Sequence, residues 1–150
     1  MIPNQAGAQS DNYLLQRIIG ATPEQLCILL LEGAQKFLLQ AINATKAKNI
    51  PEKAKYVNRV SAIIEELTIQ LNHDEESELV INLSRIYEWW MNQLFEASRA
   101  NRPETLETVY TQIGDMRATW EELVKKNQSA TQPQSASPSA AGGLGTEFIG

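Results

Sequence analysis

Apolar residues recur every three or four positions through the middle of the chain, and strand-like alternation is absent. That spacing predicts amphipathic helices. Four long segments carry it. The first starts at Thr22, where Thr22-Pro23-Glu24-Gln25 offers a capping hydroxyl, a proline at the first helical position and a glutamine three residues past the cap. Its inner stripe reads as Leu26, Leu29, Leu30, Gly33, Phe37 and Ala41, and Asn49-Ile50-Pro51 ends it. The second segment runs from about Pro51 to Leu71, with Ala54, Val57, Val60, Ile64, Leu67 and Leu71 on one face. The third begins among Asp74, Glu75, Glu76 and Glu78, acids that suit a helix N-terminus. It carries Leu79, Leu83, Ile86, Tyr87, Trp90, Leu94 and Ala97. Pro103 fits the first turn of the fourth, whose stripe is Leu106, Val109, Ile113, Met116, Trp120 and Leu123.

Four helices of matched length joined by short loops predict an all-α fold, an antiparallel up-down four-helix bundle. A short apolar segment before them, Asn12 to Ile19, holds Tyr13, Leu14, Leu15, Ile18 and Ile19. It is expected as an extra helical turn or an extended arm packed on the bundle. Composition divides the chain of 150 residues into a mobile N-terminus (1–11), a helical domain (12–126) and a polar tail (127–150). The tail is rich in Ser, Ala, Gln, Pro and Gly and is expected to be disordered. Its stretch Gly145-Thr146-Glu147-Phe148 reads like translated polylinker.

Charge and composition narrow the functions. The net charge of −5 argues against a duplex nucleic-acid binder, which needs a basic surface. One Cys and one His cannot form an internal disulfide or a structural zinc site without carboxylate help. No apolar run approaches the roughly 20 residues of a membrane span, and the N-terminus lacks the basic and apolar regions of a signal peptide. The expectation is a soluble cytoplasmic domain with no cofactor and no membrane insertion.

Candidate chemistry is sparse. Di-metal bundles use Glu-x-x-His pairs, but His73 is the sole histidine and Gln70 stands where the acid would be. Cys27 lies in the apolar run 26–31, where burial should silence it. No glycine-rich phosphate loop is present, so an enzyme is not expected. Lys46, Lys48, Lys53, Lys55 and Arg59 cluster near the first interhelical turn, as helix-end charge or as a steering patch.

Surplus apolar residues are the more informative feature. Cys27 to Leu31 cover most of the circumference of the first helix. Trp89, Ile81 and Phe95 lie off the inner stripe of the third, and Ile63 off that of the second. Either the arm covers these residues or they form a groove for an amphipathic helix of a partner, and the two are compatible. The groove candidates are Ile28, Leu31, Ile63, Ile81, Trp89 and Phe95. A homodimer could cover the same surplus.

In order and spacing, residues 13–124 resemble the flagellar export chaperone family FliS. Tyr13 precedes the first helix as in that family, and Ala21-Thr22-Pro23-Glu24-Gln25-Leu26 is similar to its helix start. Leu30-Leu31-Glu32-Gly33-Ala34 resembles the family's Leu-Tyr-acid-Gly-Ala stretch, with Leu31 replacing Tyr. Ile63-Ile64-Glu65-Glu66-Leu67, then Leu83, Tyr87-Glu88-Trp89, Leu94, Glu96-Ala97 and Trp120, follow its later helices, with Trp89 at a usual Tyr position. The resemblance implies a non-enzymatic bundle that binds the C-terminal segment of flagellin in the cytoplasm. It implies that the chaperone prevents premature polymerisation and delivers flagellin to a component of the type III export gate. It also implies a lid carrying Tyr13, Leu14 and Ile18. The alternative is a generic helical adaptor binding an amphipathic helix of another protein.

Overall fold

A computed structural model describes residues 4–71 and 77–135, with side chains described over 12–71 and 77–129. Five helices follow in order: α1 Asn4–Ile19, α2 Pro23–Lys46, α3 Ile50–Ile69, α4 Glu78–Ala100 and α5 Pro103–Ser135. No strand occurs among the described residues. The helices α2 to α5 close a ring in which α2 and α4 each pack on both α3 and α5, the expected antiparallel bundle. α1 stands outside the ring.

Local chemistry sets the helix ends. Thr22 caps α2 with a full capping box: its hydroxyl accepts from the Gln25 amide at 3.1 Å, and the Gln25 side chain accepts from the Thr22 amide at 3.0 Å. The α2 C-terminus closes in a Schellman turn. Lys48 takes a left-handed φ of 59°, the Asn49 amide donates to the Ala44 carbonyl at 2.9 Å and the Lys48 amide to Thr45 at 3.1 Å. Asn49 then caps α3. Ser77 caps α4 through the Val80 amide at 3.1 Å, and Asn101 ends it in a left-handed conformation. The capping role of Ser77 is obscured in the sequence by the acids before it. His73, Asp74, Glu75 and Glu76 lie outside the described residues.

The core keeps the middle of three of the four stripes and shifts the other, while Ala54, Leu79, Ile86 and Leu123, read as inner positions, are exposed. Val57, Val60, Ile64 and Leu67 are buried on α3; Leu83, Tyr87, Trp90, Leu94 and Ala97 on α4; Leu106, Val109 and Ile113 on α5. On α2 the inner line is Ile28, Leu31, Ala34, Leu38, Ala41, Ile42 and Thr45, while Leu30 and Phe37 sit partly buried at its edge. Apolar residues surround much of α2, so periodicity alone leaves its rotation open. Ala34 and Ala41, small residues on that line, are fully buried. The buried Trp90 indole donates to the Gln112 side chain at 2.9 Å, which satisfies its one polar group.

Three expectations need correction. α2 is long and apolar enough, by length and composition, to cross a membrane, contrary to the sequence reading. Packing in the bundle core accounts for part of that apolarity, through Leu31, Ala34, Leu38 and Ala41. α1 begins at Asn4, well before the arm expected from Asn12, and α5 continues to Ser135, past Lys126. Lys53 belongs to no exposed basic cluster: it is 6% exposed, and its Nζ donates to the Ser98 carbonyl at 2.8 Å and to Asn101 Oδ1 at 3.3 Å. The last carbonyls of α4 have no helical partner, and Lys53 reaches them from the start of α3. The tail beyond Ser135 lies outside the described residues.

Candidate functional site

The start of α2, the end of α3, the start of α4 and the later part of α5 meet at one end of the bundle. They leave an open cavity of about 570 Å³ there. Leu26, Cys27, Leu67, Leu71, Leu83 and Trp120 make its walls largely apolar. The backbone turn from Ala21 to Pro23, which joins α1 to α2, forms part of the rim. Such a recess can bury apolar side chains of an incoming segment, each contributing roughly 1.5–3 kcal/mol when fully removed from water.

Polar chemistry in the cavity is quiet. Cys27 is half-buried, not fully buried as its sequence neighbours suggest, and it is hydrogen-bonded to Tyr87. Burial pushes its thiol up to about 11, against the weaker opposing effect of the Tyr87 hydrogen bond. Burial likewise pushes the Tyr87 phenol up, and the Cys27 thiol adds to that shift. Both groups stay protonated at neutral pH, so Cys27 is a poor nucleophile. No group of three or more His, Cys, Asp or Glu able to hold a metal occurs among the described residues.

α1 meets the bundle through charge. Residues 12–20 are exposed, including Tyr13 at 65%, Leu14 and Ile18. Arg17 Nη1 lies 3.7 Å from Glu32 Oε1 on α2. The second Glu32 oxygen is 3.5 Å from Arg117 Nη2 on α5. Arg117 also holds Glu121 at 3.0 Å and donates to Gln35 Oε1 at 2.9 Å. Glu32 is thereby shared between a bundle arginine and the α1 arginine. A polar pocket of about 400 Å³, lined by Gln16, Arg17, Gln25, Glu32 and Glu121 among others, separates α1 from α2 and α5. No side chain of residues 12–20 lines the apolar cavity.

The six groove candidates do not converge. Leu31 is fully buried and Ile28 nearly so, because both lie on the inner line of α2. Ile63 is partly buried against the core, close to Gly33: a β-carbon built there would meet Ile63 Cδ1 at 3.4 Å. Ile81, Trp89 and Phe95 are exposed on α4, Trp89 at 42% and Phe95 at 67%. At 3.6 residues per turn they spread over roughly a third of the helix circumference, on its outward side. None of the six lines the cavity. Its apolar walls are instead mostly residues read from the sequence as core stripe, with Cys27 from the surplus on α2. A helical wheel sorts residues around an axis, whereas this cavity is defined along it, by which stripe positions fall at the open end.

The fold is a helical bundle with an open apolar recess at one end and a further helix tethered beside it. Comparison with models of known families matches residues 5–127 to the family described as flagellar protein FliS. The chain is 30% identical over 105 residues to the flagellar secretion chaperone FliSB of Pseudomonas aeruginosa, covering 70% of this chain and 83% of that protein. It is 25% identical over 115 residues to flagellar secretion chaperone FliS of Vibrio cholerae, covering 77% and 85%. It is 26% identical over 116 residues to that of Bacillus subtilis, covering 77% and 86%. The chain belongs to the FliS family of flagellar secretion chaperones, a family of chaperones and not of enzymes.

Proposed function

We propose that this chain binds the C-terminal segment of flagellin in the cytoplasm, prevents its premature polymerisation and delivers it to the flagellar type III export apparatus. The observation that carries this reading is the apolar cavity, open to solvent at the end of a bundle whose family is that of flagellar secretion chaperones. A flagellin segment that is disordered when free would order on binding. It would recover that entropic cost by burying apolar faces, at about 2.5 kcal/mol per 100 Å². In this reading the cavity is the principal anchor. Ile81, Trp89 and Phe95 are secondary contacts on the outside of α4, with Ile63 at the α2–α3 seam. Ile28 lines the polar pocket beside α1, and Leu31 is buried in the core, so neither contacts the segment in the cavity.

α1 acts as the lid, with Tyr13, Leu14 and Ile18 as its apolar face. Two observations support this: its attachment is ionic, through Arg17 and Glu32, and its connection to α2 forms the cavity rim. Displacing such a helix exposes little apolar surface that was previously buried.

Calorimetric titration with a peptide of roughly the last 40 residues of the cognate flagellin tests the reading. The expected result is saturable one-to-one binding with a negative heat-capacity change and a gain in helicity. Absence of binding to a folded chain refutes it and favours a helical adaptor for another partner. Light scattering on the eluting protein distinguishes a homodimer from a monomer.

A further inference from the structure

The outer surface between α2 and α3 carries a separate group of residues, none of which lines the end cavity. Phe37 of α2 and Tyr56 of α3 stack with ring centroids 6.0 Å apart and planes 27° from parallel. Both rings are half-buried. The Arg59 guanidinium lies 5.4 Å from the Phe37 centroid, and the Lys55 ammonium 5.0 Å from the Tyr56 centroid. An aromatic face attracts a cation through its quadrupole but leaves the cation's N–H donors without a carboxylate. Neither Lys55 nor Arg59 has an ion pair among the described residues, whereas Arg17, Lys46 and Arg99 each hold one and Arg117 holds two. Lys36, next to Phe37 in the chain, and Lys48, in the α2–α3 turn, are exposed and add positive charge. Glu52 lies in the first turn of α3, where the helix N-terminus favours an acid.

We propose that this α2–α3 face docks an acidic, apolar-studded segment of a partner protein. Its carboxylates pair with Lys55 and Arg59, and one apolar side chain lies on the Phe37–Tyr56 pair. Charge complementarity selects the occupant. The chain carries a net −5, so its overall field disfavours an acidic partner and this local cationic face is where one gains. The rings already restrain both cations, which reduces the ordering cost of each new ion pair. The face is distinct from the cavity, so one partner can be held while the other site is filled.

The test is fluorescence anisotropy on the full chain with a labelled synthetic amphipathic helix built from Glu, Leu and Phe. A Gln-for-Glu version and a single-stranded DNA oligonucleotide serve as comparisons. The expected result is saturable binding of the Glu peptide that weakens with added salt and falls at least tenfold in the Lys55→Glu, Arg59→Glu double variant. Lys55→Gln and Arg59→Gln, each with unchanged thermal unfolding, should each lose part of it. Equal binding by parent and variants, equal binding of the Gln peptide, tighter binding of the oligonucleotide or no binding each overturn the proposal. No flagellin peptide enters this experiment, so its outcome is independent of the flagellin titration.

Discussion

Replacing Lys53 by Met would test whether one buried cation holds the α3 start to the α4 end. Lys53 is 6% exposed, and its Nζ donates at 2.8 Å to the Ser98 carbonyl and at 3.3 Å to Asn101 Oδ1. Met keeps most of the apolar stem and removes the donor. The hydrogen bond from a charged group to the Ser98 carbonyl contributes about 1.5–3 kcal/mol, and the longer contact to Asn101 less. A cation at a helix C-terminus adds roughly 0.3–1 kcal/mol. Against these stands the cost of holding an ammonium out of water, which Met relieves. The carbonyl left without a donor tips the balance, and the expected net loss is about 2 kcal/mol. Lys53→Ala, which also deletes the stem, should cost about 1–2 kcal/mol more. Urea unfolding followed by circular dichroism reads both variants: the midpoint should fall while the slope stays constant. A Lys53→Met variant as stable as the parent, or more stable, refutes the reasoning and makes desolvation the dominant effect.

Glu32→Gln should loosen α1 without melting the bundle, because it removes the charge that Arg17 and Arg117 share; faster amide exchange over 12–19 with an unchanged melting temperature is the expected reading. High salt should mimic it. Cys27, pushed up to about 11, should react slowly with thiol reagents at pH 8 and faster only as pH approaches that value. Since its pKa is raised from 9.0, the stability it contributes is present below pH 9 and is lost as pH rises through about 11. Gly33→Ala should be neutral to about 1 kcal/mol stabilising in thermal unfolding: helix propensity favours Ala, and the Ile63 methyl 3.4 Å away must yield only slightly. A clear loss would show that Ile63 is locked in place. Trp89→Ala should weaken flagellin-peptide binding in calorimetry more than it lowers the melting temperature; unchanged binding removes Trp89 from the contact surface.

Much of the architecture was legible because its determinants are local. Thr22 and Gln25 start α2 through bonds within one helical turn, and Pro103 opens α5 through its fixed φ. The middle of the stripes on α3, α4 and α5 points inward, since burying the denser apolar face removes the most apolar surface from water. The candidate site was less legible. Leu26, Leu67, Leu83 and Trp120 have the same spacing whether they fill a core or line a recess.

The sequence by itself therefore determined the four bundle helices, the Thr22 cap, the all-α bundle and the family, since each rests on short-range pattern or on residue order. Tertiary structure decided the rotation of α2, where apolar residues nearly encircle the helix and only neighbouring backbones select a face. It also decided the burial of Lys53, whose acceptors lie 45 and 48 residues away in the chain. The ionic tether of α1 and the end cavity belong to the same group. Both arise where separate helices meet, and no periodicity within a single helix encodes that meeting.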